Sequence, residues 1–204
     1  MTGRRWDCAE PGASEYDVAL DRTRIVWDGY TYYCRTAGGS SPPTHSPPAS
    51  KPGAPSRTVL LLKRTRTSGC RIRGPFPDRR CSPGAFYGDA TLAMICGPGY
   101  SARVRNVPES VKAAVYAEYG IPRGHFGRAY EVDHIVSLEL GGSNDISNLY
   151  PEAASPRPGY HDKDRLENRL HALVCSHQLG LRAVQHAIAS NWVGLYRQVF
   201  RVVP

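Results

Sequence analysis

Apolar positions recur at helical spacing in three stretches of the chain. Val111, Val115 and Tyr119 share one face of a helix that Pro108-Glu109-Ser110 opens and Gly120 stops. Leu166, Leu170, Leu173 and Val174 give Lys163 to Cys175 the same period, and Val184 with Ile188 predicts a further helix from Leu181 to Ala189. Trp192, Leu195, Tyr196 and Val199 carry that period towards the end of the chain. Between the helices, Glu131 to Leu140 reads as two short strands bent around the middle and closed by Gly141-Gly142, which permits a tight backbone. From Cys81 the texture alternates small apolar and turn residues. It ends in Ile95-Cys96-Gly97-Pro98-Gly99-Tyr100 and Ala102-Arg103-Val104-Arg105, and predicts short strands. Near the N-terminus, Ile25, Val26 and Trp27, then Tyr30, Tyr32 and Tyr33, flank Asp28-Gly29 as a hairpin would, and a Cys8–Cys34 bridge could staple it.

Two stretches lack such periodicity. Residues 37–56 hold six prolines and almost nothing that could fill a core, the composition of a linker. Residues 51–80 carry nine Lys or Arg and one Asp, a basic stretch that could lie along phosphates or be a solvated, disordered arm; few apolar residues, with Gly and Pro between them, favour the disordered arm. The expected organisation is a small N-terminal segment over 1–36, a Pro-rich linker and basic arm over 37–80, and a folded domain over 81–204. Strands, helix, hairpin, loop and helices in that order make the fold class α+β.

Charge narrows the partners. The 204 residues contain 26 Lys and Arg against 18 Asp and Glu, a net charge of +8, which favours polyanions such as nucleic acid or anionic lipid. The longest aliphatic run, Val59 to Leu62, is only four residues, so no membrane span is expected. Six cysteines (Cys8, Cys34, Cys70, Cys81, Cys96, Cys175) occur with no Cys-x-x-Cys pair, which suits disulfides in an oxidising compartment. Against secretion, Arg4, Arg5, Trp6 and Asp7 follow Met1 with no apolar core behind them, so a cytoplasmic location is the expectation from the leader and an exported one from the cysteines. Oligomeric state leaves no mark in the pattern.

The chemistry concentrates in Glu131-Val132-Asp133-His134-Ile135, Gly141-Gly142, Asn148-Leu149 and Tyr160-His161-Asp162-Lys163-Asp164. Asp-His-Ile at a strand end, a double glycine seven positions after that His and Asn-Leu fourteen after it resemble the HNH family of ββα-metal (His-Me finger) nucleases. The likeness extends to Cys81-Ser82-Pro83-Gly84-Ala85, Ile95-Cys96, Gly99-Tyr100, Val104-Arg105, Lys163-Asp164, Glu167-Asn168 and Trp192. Together these are similar to a bacterial, often exported group of HNH endonuclease-like proteins over residues 81–200.

The resemblance implies a ββα-metal hairpin and helix with additional flanking helices. It implies a metal-dependent endonuclease that hydrolyses phosphodiester bonds, of DNA in preference to RNA. Hydrolysis needs a base for water, a cation against the phosphoryl charge and stabilisation of the departing 3′-oxygen. His134, with an ordinary pKa near ~6.5, is the expected base. Asp133 is the expected first metal ligand, and the two can share a site only where the strand ends in a bend. Asn148 would tie the loop to hold the His134 ring. His161 is the expected second ligand although it lies thirteen positions after Asn148, farther than the family's usual spacing, with Asn168 or Glu167 as substitutes. Lys163 and Arg165 would meet phosphate near the helix start. The ion would be Mg²⁺ first, with Mn²⁺, Ni²⁺ or Zn²⁺ accepted by the same donors. Cys81 and Cys96 read as a disulfide, and His125, His171, His177 and His186 as structural or surface residues. Without a helix-turn-helix or zinc finger, sequence specificity should be weak. Two other classes compete: a catalytically inactive HNH-fold module that binds nucleic acid, and a secreted disulfide-bonded protein whose basic arm binds anionic surfaces.

Overall fold

In the computed structural model two strands of the N-terminal segment pair as the sequence predicts, the expected Asp28-Gly29 turn lying outside the described residues. Strands β2 (Thr23–Trp27) and β3 (Tyr30–Thr36) pair antiparallel with Trp27 opposite Tyr30. Strand β1 (Trp6–Cys8) adds to the other edge of β3 and sets Cys8 opposite Cys34. Apart from these backbone segments the structure describes residues 55–122 and 129–200; the linker over 37–54 and His125 lie outside the described residues.

The basic arm is a folded part of the domain. Strand β4 (Thr58–Leu60) pairs antiparallel with β5 (Ala85–Tyr87), and Thr65 and Arg66 donate backbone bonds to the Arg80 carbonyl. Four of its apolar residues carry the packing: Val59, Leu61 and Phe76 pack on the main core and Ile72 on a second cluster, while Leu60 and Leu62 stay exposed. Two side chains from elsewhere, Tyr150 Oη and Trp192 Nε1, donate to the Pro75 carbonyl, each at 3.1 Å. A disulfide joins Cys70 to Cys81, and a second joins Cys96 to Cys175. The expected Cys81–Cys96 pairing is therefore wrong, and residues 58–76 pack against the domain expected over 81–204. Cys70 returns to Cys81 through one compact loop, whereas Cys96 ends a helix beside the last turn of another.

Residues 92–95 and 100–104 form short helices rather than strands. Thr91 Oγ1 caps α1 (Leu92–Ile95), and Gly99, in the left-handed region at φ +66°, starts α2 (Tyr100–Val104). Ile95, Tyr100 and Val104 bury against Leu138 and Ala90, so tertiary contact overrides weak local preference. Helix α3 (Glu109–Glu118) follows its predicted bounds and buries Val115.

The hairpin that matters is wider than its sequence suggested. Strand β6 (Tyr130–His134) pairs antiparallel with β7 (Leu149–Ala153), Tyr130 opposite Ala153 and His134 opposite Leu149. The expected second strand within 135–140 is instead a turn of 3₁₀ helix at Leu138–Leu140. The glycine pair enforces this: Gly141 sits at φ +76°, and a Cβ on Gly142 would lie 1.8 Å from the Val136 carbonyl oxygen. Helix α4 (Tyr160–Cys175) comes next in the chain after β7, and α5 (Leu181–Phe200) packs on α4 with a kink at Asn191. Leu166, Leu170 and Val174 of α4 meet Val184, Ile188, Trp192 and Leu195 of α5 in the main core. The described architecture is α+β, and none of its helices is long and apolar enough to cross a membrane.

Candidate functional site

His134 closes β6, and the chain bends immediately after it, so Asp133 and His134 both reach the same cleft. The cleft has a volume of about 830 Å³, and Arg105, Glu131, Asp164 and Glu167 also line it. His134 is only 4% exposed, and burial pushes the imidazole pKa down to about 4 against the opposing charge of Asp133. His134 is therefore a neutral imidazole at physiological pH.

Its tautomer follows from Asn144. Asn144 Nδ2 donates to the Val104 carbonyl at 2.6 Å and to Tyr87 Oη at 3.1 Å, which fixes the amide so that Oδ1 faces the ring. Oδ1 lies 3.2 Å from His134 Nε2, so Nε2 carries the hydrogen and donates. Nδ1 keeps its lone pair and has no hydrogen-bond partner among the described residues.

Asn148 clamps the loop beneath this ring with its whole bonding capacity. Its Oδ1 accepts from the backbone N–H of Ala85 at 3.0 Å and of Val136 at 2.9 Å. Its Nδ2 donates to the carbonyls of Val136 at 3.0 Å and Ser143 at 2.8 Å. The side chain is wholly buried, and its role is structural. Gln185 braces the same loop from α5, donating to the Leu140 carbonyl at 2.6 Å.

Lys163 points inward from the helix start at which it was expected to meet phosphate. It has no exposed surface, and its ammonium donates to Asp133 Oδ2 at 2.6 Å, Glu167 Oε1 at 2.6 Å and the His134 carbonyl at 2.7 Å. Glu152 Oε2 is 3.7 Å away. Lys163 is an internal cation and not a phosphate contact, because three carboxylates draw it inward. Burial alone would strip its proton, but Asp133, Glu167 and Glu152 together hold its pKa well above the usual lysine range. Burial works to raise Asp133 as well, yet Lys163 outweighs it and keeps this carboxylate ionised below its ordinary value. Glu152 and Glu167 move the other way, burial exceeding the attraction of Lys163.

The remaining expected residues do not join this centre. His161 is exposed on the first turn of α4 with its ring 4.3 Å from that of Tyr160. Asn168 is exposed and donates to the Asp164 carbonyl at 2.9 Å. Arg165 turns towards α5, where it reaches Tyr196 Oη at 3.3 Å and covers the Phe200 ring. Glu109, Glu131, Asp164 and Glu167 share the cleft with Asp133; of these Glu109 is paired with Lys112 and Glu167 with Lys163, which leaves Glu131 and Asp164. Burial and the neighbouring negative charges, Asp133 among them, push both upward. These are hard oxygen donors whose carboxyls are raised by burial and by neighbouring carboxylates despite Lys163 nearby, which fits a divalent cation by charge and donor type. They do not form a closed cage. Among the described residues, the side chains whose metal-ligand atoms lie within 4.8 Å of one another are instead the sulfur and nitrogen donors Cys96, His171 and Cys175, which could hold a metal ion. Cys96 and Cys175 are bonded to each other, so that group would need both thiolates freed first.

Two residues, one bonded to the His134 ring and one in the cleft, escaped the sequence reading. Asn144 sits within the Gly-Gly-Ser-Asn run, but only the fold brings it to the ring. Arg105 is exposed in the cleft, makes no side-chain hydrogen bond among the described residues, and its charge acts on both His134 and Asp164. The only trace in the sequence was its place in the Val104-Arg105 element.

Comparisons with protein-family models, with curated proteins and with solved structures returned no match for this chain.

Proposed function

We propose that the domain is an HNH-type endonuclease that hydrolyses phosphodiester bonds of nucleic acid with His134 as general base. The observation that carries this reading is the His134 ring. It faces a polar cleft at the end of β6, is held as the Nε2–H tautomer by Asn144, and leaves Nδ1 unclaimed. The succession of β6, β7 and α4 is the strand–strand–helix order of a ββα-metal finger, and the Asn148 clamp supports the same reading.

In this mechanism His134 Nδ1 takes the proton of a water as that water attacks phosphorus. Arg105 binds the phosphoryl oxygens. Lys163 acts from behind, fixing the His134 carbonyl and the Asp133 carboxylate in one arrangement. A divalent ion, with Mg²⁺ favoured by hard oxygen donors, would be held by Asp133 with Glu131 and Asp164, and would supply positive charge against the phosphoryl and leaving oxygens. DNA is the expected substrate, cut with little sequence preference. Two disulfides suit an oxidising, exported setting.

The test is incubation of the full chain with supercoiled plasmid, and separately with RNA, under Mg²⁺, Mn²⁺, Ni²⁺, Zn²⁺ or EDTA. Cleavage is expected with an added ion and not with EDTA, and His134→Ala should lower it by about 10²–10⁴-fold. Undiminished cleavage by that variant removes the base, and equal cutting of RNA removes the preference for DNA.

One observation favours a second reading. The Lys163 ammonium already neutralises Asp133 from within, as a cation would. On that reading the domain binds nucleic acid without cutting it, and the same assay yields retarded but intact plasmid under every ion.

A further inference from the structure

We propose that a second, basic pocket between the loop over residues 70–81 and the kink of α5 grips the phosphodiester backbone of nucleic acid. The inference rests on the proposed function for its partner, but its observations are separate from the His134 cleft. The pocket has a volume of about 740 Å³ and is lined by Arg73, Phe76, Arg79, Arg80, Ser190 and Asn191 among others. Three guanidinium groups around one concavity match anionic oxygens in charge and in donor geometry.

Each arginine is placed by its own device. Arg73 stands at a tight turn closed by its two backbone bonds with Phe76, and its guanidinium has no hydrogen-bond partner among the described residues. Arg79 donates to the Ala189 and Ser190 carbonyls that the kink at Asn191 leaves open, which satisfies the end of a helical segment. These bonds use one terminal nitrogen and leave its other donors available. Arg80 is oriented by buried Asp78, whose carboxylate accepts from Nε at 3.3 Å.

The loop that presents them is covalently closed by Cys70–Cys81 and anchored through Pro75 to Tyr150 and Trp192. An unordered arm would give up conformational freedom on binding, whereas this loop has already done so. Asp78 is the single acid in the pocket, and Arg80 and Arg66 already engage it, so the rim keeps a net positive charge. The half-buried Phe76 ring adds an apolar wall beside the arginines.

The experiment measures binding of a fluorescein-labelled DNA duplex to the full chain by anisotropy across a salt series, in EDTA so that no cleavage intervenes. Arg73→Gln should lower the slope of log affinity against log salt by about 0.9, and Arg73→Gln with Arg80→Gln by about twice that. Arg169→Gln, which removes an equal charge from the exposed face of α4, should leave the slope unchanged. Equal effects of Arg73→Gln and Arg169→Gln, or no effect of Arg73→Gln, overturn the proposal. So does displacement of the duplex by inorganic phosphate at matched ionic strength, which would make the pocket a small-anion site. Hydrolysis of bis(4-nitrophenyl) phosphate, read in parallel, separates the two claims. Arg73-dependent binding without hydrolysis by the wild-type chain upholds the pocket while removing the nuclease reading, and hydrolysis with an Arg73-independent slope does the reverse.

Discussion

At the scale of single residues, the site divides by whether a side chain's role is local to its motif. Asn148 was legible because a buried amide fourteen positions after His134, beyond a double glycine, has backbone groups of the same loop to bind, and it binds three of them besides the N–H of Ala85 on β5. Lys163 was misread because a lysine near a helix start reads as solvated, and nothing in its neighbours along the chain tells that Asp133 and Glu152 approach from two strands. Asn144 was missed for the same reason, since its partners Tyr87 and Val104 are far away in sequence. Its function gives a sharp expectation. Asn144→Leu removes the acceptor that selects the Nε2–H tautomer, so the ring can present a hydrogen where the water's proton must go. We expect kcat to fall by about 10²-fold, the cost of mispositioning a catalytic group, with KM for a short duplex nearly unchanged. A matched loss in KM, or no loss in kcat, would show that Asn144 does not orient the base.

At the scale of elements, helices with strong periodicity were readable and irregular segments were not. α3 and α4 follow apolar spacing that any packing partner would reward, and α5 follows it through the Asn191 kink. α1 and α2 are too short for periodicity to show, and the Gly97-Pro98-Gly99 run between them resembles strand punctuation. The basic loop looked unfolded because its anchors are a disulfide, a carbonyl at Pro75 and a buried acid, none of which is an apolar pattern. Asp78 makes the loop's order dependent on pH. Burial works to raise its pKa, but hydrogen bonds and charge from Arg80 prevail, and the folded value lies below the ordinary 3.8. A carboxylate depressed on folding contributes stability that is present above its unfolded pKa and is lost as pH falls through the folded one. Asp78→Asn should therefore cost about 1 kcal/mol near neutrality, discounted for the exposed Arg80, and progressively less below about pH 4. Urea unfolding of both proteins across that range checks it. A difference that persists undiminished at the acid end would rule out ionisation as its source.

For the whole molecule, the two disulfides close loops of very different length and are expected to do different work. Cys96–Cys175 spans 79 positions and ties the end of α1 to the end of α4, whereas Cys70–Cys81 spans 11. In the chain-entropy account a cross-link restricts the unfolded ensemble in proportion to the logarithm of its loop, worth about 4.5 kcal/mol for the longer and about 3 kcal/mol for the shorter. Replacing both cysteines of a pair by serine is the cleaner perturbation than reduction, because free Cys96 and Cys175 with His171 could hold a metal ion and so restabilise the chain. We expect Cys96→Ser with Cys175→Ser to lower unfolding stability more than Cys70→Ser with Cys81→Ser, measured by urea titration. DNA affinity should show the opposite order. The short loop presents the arginines of the basic pocket, so its release should weaken duplex binding in EDTA. Opening the longer bridge leaves that pocket closed in every molecule that remains folded. If both pairs cost equal stability and equal affinity, the two bridges are interchangeable staples and the short one has no part in presenting charge.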